Sequence, residues 1–102
     1  MTTKIKLRGE YQSRNVFLND EILLAYESLK LRNHSPDGFN WGYGGSGPSQ
    51  LALAILMELT DADTSLENYQ QFKWDVISKL PQGDFEVELD VTKYLQSSEE
   101  ES

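Results

Sequence analysis

The feature that most constrains this chain is a glycine-rich segment, Gly38 to Gly47, that runs into an apolar segment led by Pro48. Five of the seven glycines lie in this segment, so the backbone is expected to adopt conformations there that other residues avoid. Pro48 suits the first turn of a helix, because its φ is fixed and its missing N–H is not needed there. We predict that Gly47 is the N-cap and that Gln50 reaches back to it as in a capping box. Free N–H groups and the helix dipole would favour an anion at this helix start.

Length and charge narrow the classes of protein. A chain of 102 residues predicts one domain, which we place at residues 1–95, followed by a disordered acidic tail at residues 96–102. The net charge of −8 argues against a general electrostatic grip on nucleic acid. Such acidity serves solubility, or it presents carboxylates to a protein that normally binds phosphates.

Three further observations concern the environment of the protein. The chain contains no cysteine, which excludes disulfides and thiol chemistry. Its N-terminal residues, Met1-Thr2-Thr3-Lys4, lack the pattern of a signal peptide, and no apolar run approaches the roughly 20 residues that span a bilayer. We therefore expect a cytoplasmic protein with no membrane partner.

Period-two alternation predicts strands at residues 4–8, 16–18 and 85–89, the first two joined as a hairpin. The segment 21–31 fits neither a helical nor a strand pattern throughout, but its end alternates, so we predict a strand at residues 29–32. The fold class is α+β: a small, mostly antiparallel sheet packed against two main helices, with a short C-terminal helix and the acidic tail.

The two main helices are predicted to start near Pro48 and Ser65. The first is apolar almost all round, which is typical of a buried central helix. The second begins at a T-x-x-E capping box, residues 64–67, carries one apolar stripe, and ends at Pro81. A last short helix is predicted to reach Leu95.

Two residues of the second helix depart from its pattern. Lys73 falls inside the apolar stripe, and Trp74 falls beside it on a polar flank. The lysine either buries its stem and sends its ammonium group to water, or supplies a positive charge to a pocket. The tryptophan either packs on the fold or contacts a ligand.

Three nucleotide or hydrolase motifs match the glycine segment only in part. Gly42, Gly44 and Gly47 satisfy G-x-G-x-x-G, but the strand that a dinucleotide fold needs after the helix is absent. A phosphate loop would need Lys-Ser or Lys-Thr where Pro48-Ser49 stands, and a nucleophile elbow would need glycine at Pro48. None of the three motifs is retained.

Catalysis would have to involve His34, the one histidine, together with Ser46 and an aspartate such as Asp37. A histidine in a turn rich in Asn, Ser and Pro is more typical of a hydrogen-bonding group. We therefore expect a protein that is not an enzyme, with a hydrolase as the third-ranked alternative. No metal and no cofactor is predicted, since the chain shows no ligand spacing.

The remaining candidate site is the glycine segment with its neighbours. Its predicted ligand-binding residues are Arg32, His34, Trp41, Tyr43, Gly44, Gly45, Ser46, Gly47 and Lys73. Aromatic rings beside backbone N–H groups suit a flat, negatively charged ligand such as a nucleotide. The alternative is that the glycines only allow close packing, with Trp41 and Tyr43 filling the core.

Residues 39–52 carry the motif F-x-W-G-Y-G-G-S-G-P-x-Q-L-A, and with residues 29–36 and 69–74 they resemble a small domain-of-unknown-function family of bacteria, archaea and their phages. The likeness covers nearly the whole chain. It implies a mobile-element or accessory role and brings no established activity, ligand or catalytic residue.

Two main hypotheses for function follow. The first is a small acidic phage or prokaryotic accessory protein that binds a host protein without catalysis, directed for example at a defence or nucleic-acid machine. The alternative is a binder of a phosphate-bearing small molecule or nucleotide at the Gly42–Gly47 loop. Direct binding of nucleic acid is not expected, and the oligomeric state is left open.

Overall fold

A four-stranded antiparallel sheet underlies the structure, a computed structural model that describes residues 2–36 and 38–96. The strands are β1 (Lys4–Glu10), β2 (Asn15–Leu18), β3 (Glu21–Ile22) and β4 (Phe85–Asp90), and their order in the sheet is β3-β2-β1-β4. The three predicted strands, the hairpin and the α+β class are confirmed, and β3 is an addition. Residues 97–102 of the predicted tail lie outside the described residues.

Local sequence explains the geometry of the sheet. Asn19 and Asp20 form the two-residue turn between β2 and β3, and both have positive φ, 51° and 70°. Such turns match the twist of a hairpin and favour Asn, Asp and Gly. Gly9 of β1 faces Phe85 of β4, and a Cβ at Gly9 would overlap the Phe85 ring. The absence of a side chain there lets the ring lie across the strand.

The described residues also form three α-helices: α1 (Tyr26–Leu31), α2 (Ser46–Leu59) and α3 (Ala62–Asp75). Two short 3₁₀ helices span Ile77–Lys79 and Thr92–Leu95. Helix α2 is buried from Gly47 to Leu56 and shares one hydrophobic core with the inward residues of β1 and β2. The prediction of a buried central helix is therefore confirmed.

The predicted strand at residues 29–32 is wrong, because this segment belongs to α1 and its end. The buried residue of α1 is Ser28. Its hydroxyl donates to the carbonyl of Ala25 and accepts from the side chain of Gln50 at 2.9 Å. A tertiary hydrogen bond thus fixes which face points inward. A polar and apolar alternation over only four residues, 29–32, is too short to predict a strand reliably.

The predicted helix starts are also wrong in detail. The N-cap of α2 is Gly45 rather than Gly47, and Gln50 makes tertiary hydrogen bonds instead of a capping box. The N-cap of α3 is Asp61, whose carboxylate accepts from the N–H of Thr64 at 2.7 Å. This backbone hydrogen bond lowers the pKa of Asp61.

The second helix is also shorter than predicted. It ends at Asp75 instead of reaching Pro81, and the 3₁₀ helix Ile77–Lys79 follows it. The predicted last short helix is present as the 3₁₀ helix that ends at Leu95.

Candidate functional site

Trp41 lies in the core and does not line the glycine segment. Its side chain is fully buried, and its indole N–H donates to the carbonyl of Gly83 at 2.9 Å. Its ring makes edge contacts with Phe85 and Tyr11, at centroid distances of 5.1 and 5.8 Å. Trp41 therefore fills the core, which was the alternative interpretation of this residue.

His34 takes part in a hydrogen-bond network around Gln50. Its ring Nε2 lies 2.8 Å from the hydroxyl of Tyr69, and its backbone N–H donates to Gln50 Oε1 at 2.7 Å. The N–H of Ser35 donates to the same oxygen at 3.1 Å. Gln50, which is fully buried, thereby joins the turn before the glycine segment to α1 and α2.

The sequence-predicted catalytic set is not assembled in the described part of the chain. No hydrogen bond joins His34 to Ser46 there, and Asp37 lies outside the described residues. Arg32 is exposed, and its guanidinium donates to the carbonyl of Leu31. Within residues 2–36 and 38–96, no group of three or more His, Asp or Glu side chains is arranged to hold a metal ion.

Gly42 anchors the glycine segment to the chain beyond α3. Its φ of 84° is in the left-handed region, and a Cβ there would meet the backbone oxygen of Leu80. Its N–H donates to the carbonyl of Ile77 at 3.0 Å, and its carbonyl accepts from the Gln82 side chain at 3.0 Å. Glycine is required here by both conformation and space.

Two aromatic rings lie directly on the next glycines. A Cβ at Gly44 would overlap the indole of Trp74, and a Cβ at Gly45 would overlap the ring of Tyr43. Both rings remain exposed at the surface. The Nζ of Lys73 lies 4.0 Å from the centroid of the Trp74 ring. We call Tyr43, Gly44, Gly45, Ser46, Lys73 and Trp74 the glycine-loop site.

Gly47 serves packing instead, because a Cβ there would overlap Asn40. The structure therefore brings together five of the nine predicted site residues and places Arg32, His34, Trp41 and Gly47 in other contacts. Trp74 is the member that the prediction omitted. Its place beside Lys73, on an otherwise polar flank, was the sequence signal for it.

A second surface was not predicted at all. Ile22, Leu24 and Tyr26 are 53%, 66% and 65% exposed and lie at alternate positions of one short segment. They border a groove of about 530 Å³ whose other lining residues include the apolar Leu18, Leu23 and Leu59 and the acidic Glu21, Glu27 and Glu58. We call this the apolar groove. The sequence indicates it by the number of apolar residues in segment 21–31, because a single buried face cannot accommodate all of them.

The last 3₁₀ helix is fastened to α3 by a buried tyrosine. The hydroxyl of Tyr94 donates to the Asp75 carboxylate at 2.6 Å, and the Gln71 side chain donates to the same group at 2.7 Å. The bond from Tyr94 is the largest cause that lowers the pKa of Asp75. Burial, followed by the same bond, raises the pKa of Tyr94.

A family model, described as a family of unknown function, matches residues 7–97. Searches of curated proteins and of solved structures found no match. In residues 2–36 and 38–96, no helix has the length and hydrophobicity needed to cross a membrane.

Proposed function

Since the chain belongs to DUF6166, a family of unknown function, we propose its function from its own surface: it is a non-enzymatic accessory protein that binds another protein through the apolar groove. The observation that carries this proposal is the row of three large apolar side chains, Ile22, Leu24 and Tyr26, each more than half exposed.

Such a row is costly to keep in water. Burying one side chain of this size fully is worth about 1.5–3 kcal/mol, so a partner that covers all three gains several kcal/mol. The centres of protein interfaces are apolar and rich in aromatic residues, and a few of these residues supply most of the binding free energy. Leu24 and Tyr26, the two most exposed, are the expected anchors.

The acidic rim of the apolar groove favours a basic partner. Glu21, Glu27 and Glu58 line it, and no basic residue is among its described lining residues. Lys30, beside the groove, pairs with Glu27 at 3.5 Å and offsets one of the three charges, whereas the chain as a whole carries a net charge of −8. A segment with apolar side chains flanked by Lys or Arg would complement both features. A second copy of the chain would bring the same three glutamates and the same net charge, so self-association at this surface is disfavoured.

The family resemblance supports a finer proposal. We propose that the chain is a phage or prokaryotic accessory protein and that its partner is a basic host protein in the cytoplasm, such as a nucleic-acid-binding protein of a defence system. The acidic rim would then occupy a surface that normally contacts phosphates.

The test compares two variants, each of which truncates a large apolar side chain that is more than half exposed. Wild type, Leu24→Ala and Trp74→Ala are used to capture proteins from a bacterial lysate, and each captured protein is then purified and titrated by calorimetry. We expect a one-to-one complex that Leu24→Ala weakens about tenfold or more, a loss of about 1.4 kcal/mol or more. Trp74→Ala should leave the affinity unchanged, and added salt should weaken the complex.

Three results would overturn the proposal. The first is a captured partner that binds wild type and Leu24→Ala equally. The second is the absence of any stoichiometric partner. The third is a homodimer that strengthens with salt and is lost in Leu24→Ala, which would assign the apolar groove to self-association instead.

A further inference from the structure

We infer that the glycine-loop site binds a phosphate group, carried by a nucleotide whose base stacks on the exposed rings of Tyr43 and Trp74. This site is separate from the apolar groove. It lies at the first turn of α2, whereas Glu58 and Leu59 of the groove lie at the last turn. A helix of 14 residues is about 20 Å long, so the two sites can be altered independently.

The backbone supplies the first part of the site. The N–H groups of Gly44, Gly45 and Ser46 make no hydrogen bond to any other described residue. They adjoin the positive end of the α2 dipole, and the first turn of α2 contains no acidic residue to offset it. Such amides are donors for an anion.

Lys73 supplies the second, independent part. Its side chain is only 6% exposed, and it has no ion pair or hydrogen bond with the described residues. Every fully buried side-chain nitrogen or oxygen in the described part has a hydrogen-bond partner, so the Lys73 ammonium must reach the surface. Of the eight other basic residues, four have an ion pair with a described carboxylate: Lys6, Arg8, Lys30 and Lys93. Lys73 differs from the remaining four because it is buried among the described residues and still has no ion pair.

Contacts along α3 place Lys73 near the start of α2. Tyr69, one turn before Lys73, meets His34, whose N–H bonds to Gln50 of α2. Trp74, one residue after Lys73, lies on Gly44. Lys73 therefore lies level with the first turn of α2. The Lys73 ammonium contacts the face of the Trp74 ring, but no described carboxylate neutralises it. A positive charge next to the positive end of a helix is electrostatically unfavourable, and a bound anion would relieve this repulsion.

The rings identify the class of anion. Because Gly44 and Gly45 lack side chains, Trp74 and Tyr43 pack directly onto the backbone that bears the free amides. A ligand with a phosphate on these amides can place a flat base against an exposed ring, as in other sites that stack bases on aromatics. Inorganic phosphate and a nucleotide share the anion chemistry, and only the nucleotide uses the rings.

The test is a fluorescence titration of the full chain with adenosine 5′-monophosphate, adenosine and inorganic phosphate. Trp41 is buried and Trp74 is exposed, so a change in emission that disappears in Trp74→Phe reports on this site. We expect saturable quenching by the nucleotide, competition by inorganic phosphate, and binding of adenosine about tenfold weaker or more.

The variant Lys73→Met keeps an apolar stem of similar length and removes the charge. It should weaken binding of the nucleotide about tenfold or more, while Lys79→Met, at an exposed lysine, should not. Circular dichroism and the melting temperature check that each variant is folded. Leu24→Ala should bind the nucleotide as wild type does, which separates this test from that of the apolar groove.

Each outcome decides the inference. No saturable change with nucleotide or phosphate at millimolar concentration would overturn it, as would equal binding by wild type and Lys73→Met. Adenosine binding as tightly as its monophosphate would overturn the anion assignment. Phosphate binding as tightly as the nucleotide would support the anion site and overturn the stacking of a base.

Discussion

Replacing Gln50 by methionine is expected to destabilise the protein strongly, although methionine has nearly the same length and volume. Gln50 is fully buried and makes three hydrogen bonds: from the N–H groups of His34 and Ser35, at 2.7 and 3.1 Å, and to the hydroxyl of Ser28 at 2.9 Å. Methionine fills the same space but can form none of these three hydrogen bonds.

The magnitude follows from these three bonds. Each contributes about 1 kcal/mol net, so the free energy of unfolding should fall by about 3 kcal/mol. For a domain near 100 residues this lowers the melting temperature by about 12–24 °C. The loss is concentrated where the turn at His34 meets α1, so the amides of His34 and Ser35 should also lose protection from hydrogen exchange.

Urea unfolding followed by circular dichroism measures the effect, with Gln70→Met on the exposed face of α3 as the matched control. The control should change the free energy of unfolding by less than about 0.5 kcal/mol. If Gln50→Met were equally mild, the three hydrogen bonds would not hold the turn to α2, and the explanation given for α1 would fail with them.

Three further predictions concern stability. The hydrogen bond from Tyr94 lowers the pKa of Asp75 in the folded protein below its ordinary value of 3.8. The bond therefore contributes fully to the free energy of unfolding above the unfolded-state pKa, and this contribution is lost as the pH falls through the lower folded-state pKa. The stability difference between wild type and Tyr94→Phe in urea should therefore be larger near about pH 6 than near about pH 3, and a constant difference would contradict this. Gly9→Ala should cost about 1–3 kcal/mol by thermal unfolding, because its methyl group overlaps Phe85; a neutral result would mean that the ring moves freely. Asp20→Gly should raise the free energy of unfolding by about 0.5–1 kcal/mol, because it relieves a positive φ; a loss would indicate that the side chain of Asp20 matters more.

Sequence reasoning predicted the strands and the two main helices because local patterns determine them. Residues 4–8 alternate, and the segment after Pro48 is apolar all round, so either pattern can be read without knowing its neighbours. Helix α1 could not be predicted in this way, since its inward residue is Ser28 and the partner of that residue is Gln50, 22 positions away.

The candidate site was predicted in part for the same reason. The loop residues Gly44 and Gly45 are neighbours in sequence, and their contact with Trp74 depends on how α3 packs against α2. Trp41 lies only three positions before Gly44 in the sequence, yet its ring packs in the core against Phe85 of β4. The apolar groove was missed because an exposed apolar residue and a buried one look alike in sequence.

The central claim is that the exposed row at the apolar groove contacts a partner protein. Site-specific photo-crosslinking tests it most directly, with a benzophenone amino acid placed at Leu24 or, as a control, at exposed Lys79. After irradiation in a bacterial lysate, we expect one defined adduct with a basic protein from position 24 and none from position 79. No adduct at position 24, or the same adducts at both positions, would contradict the account.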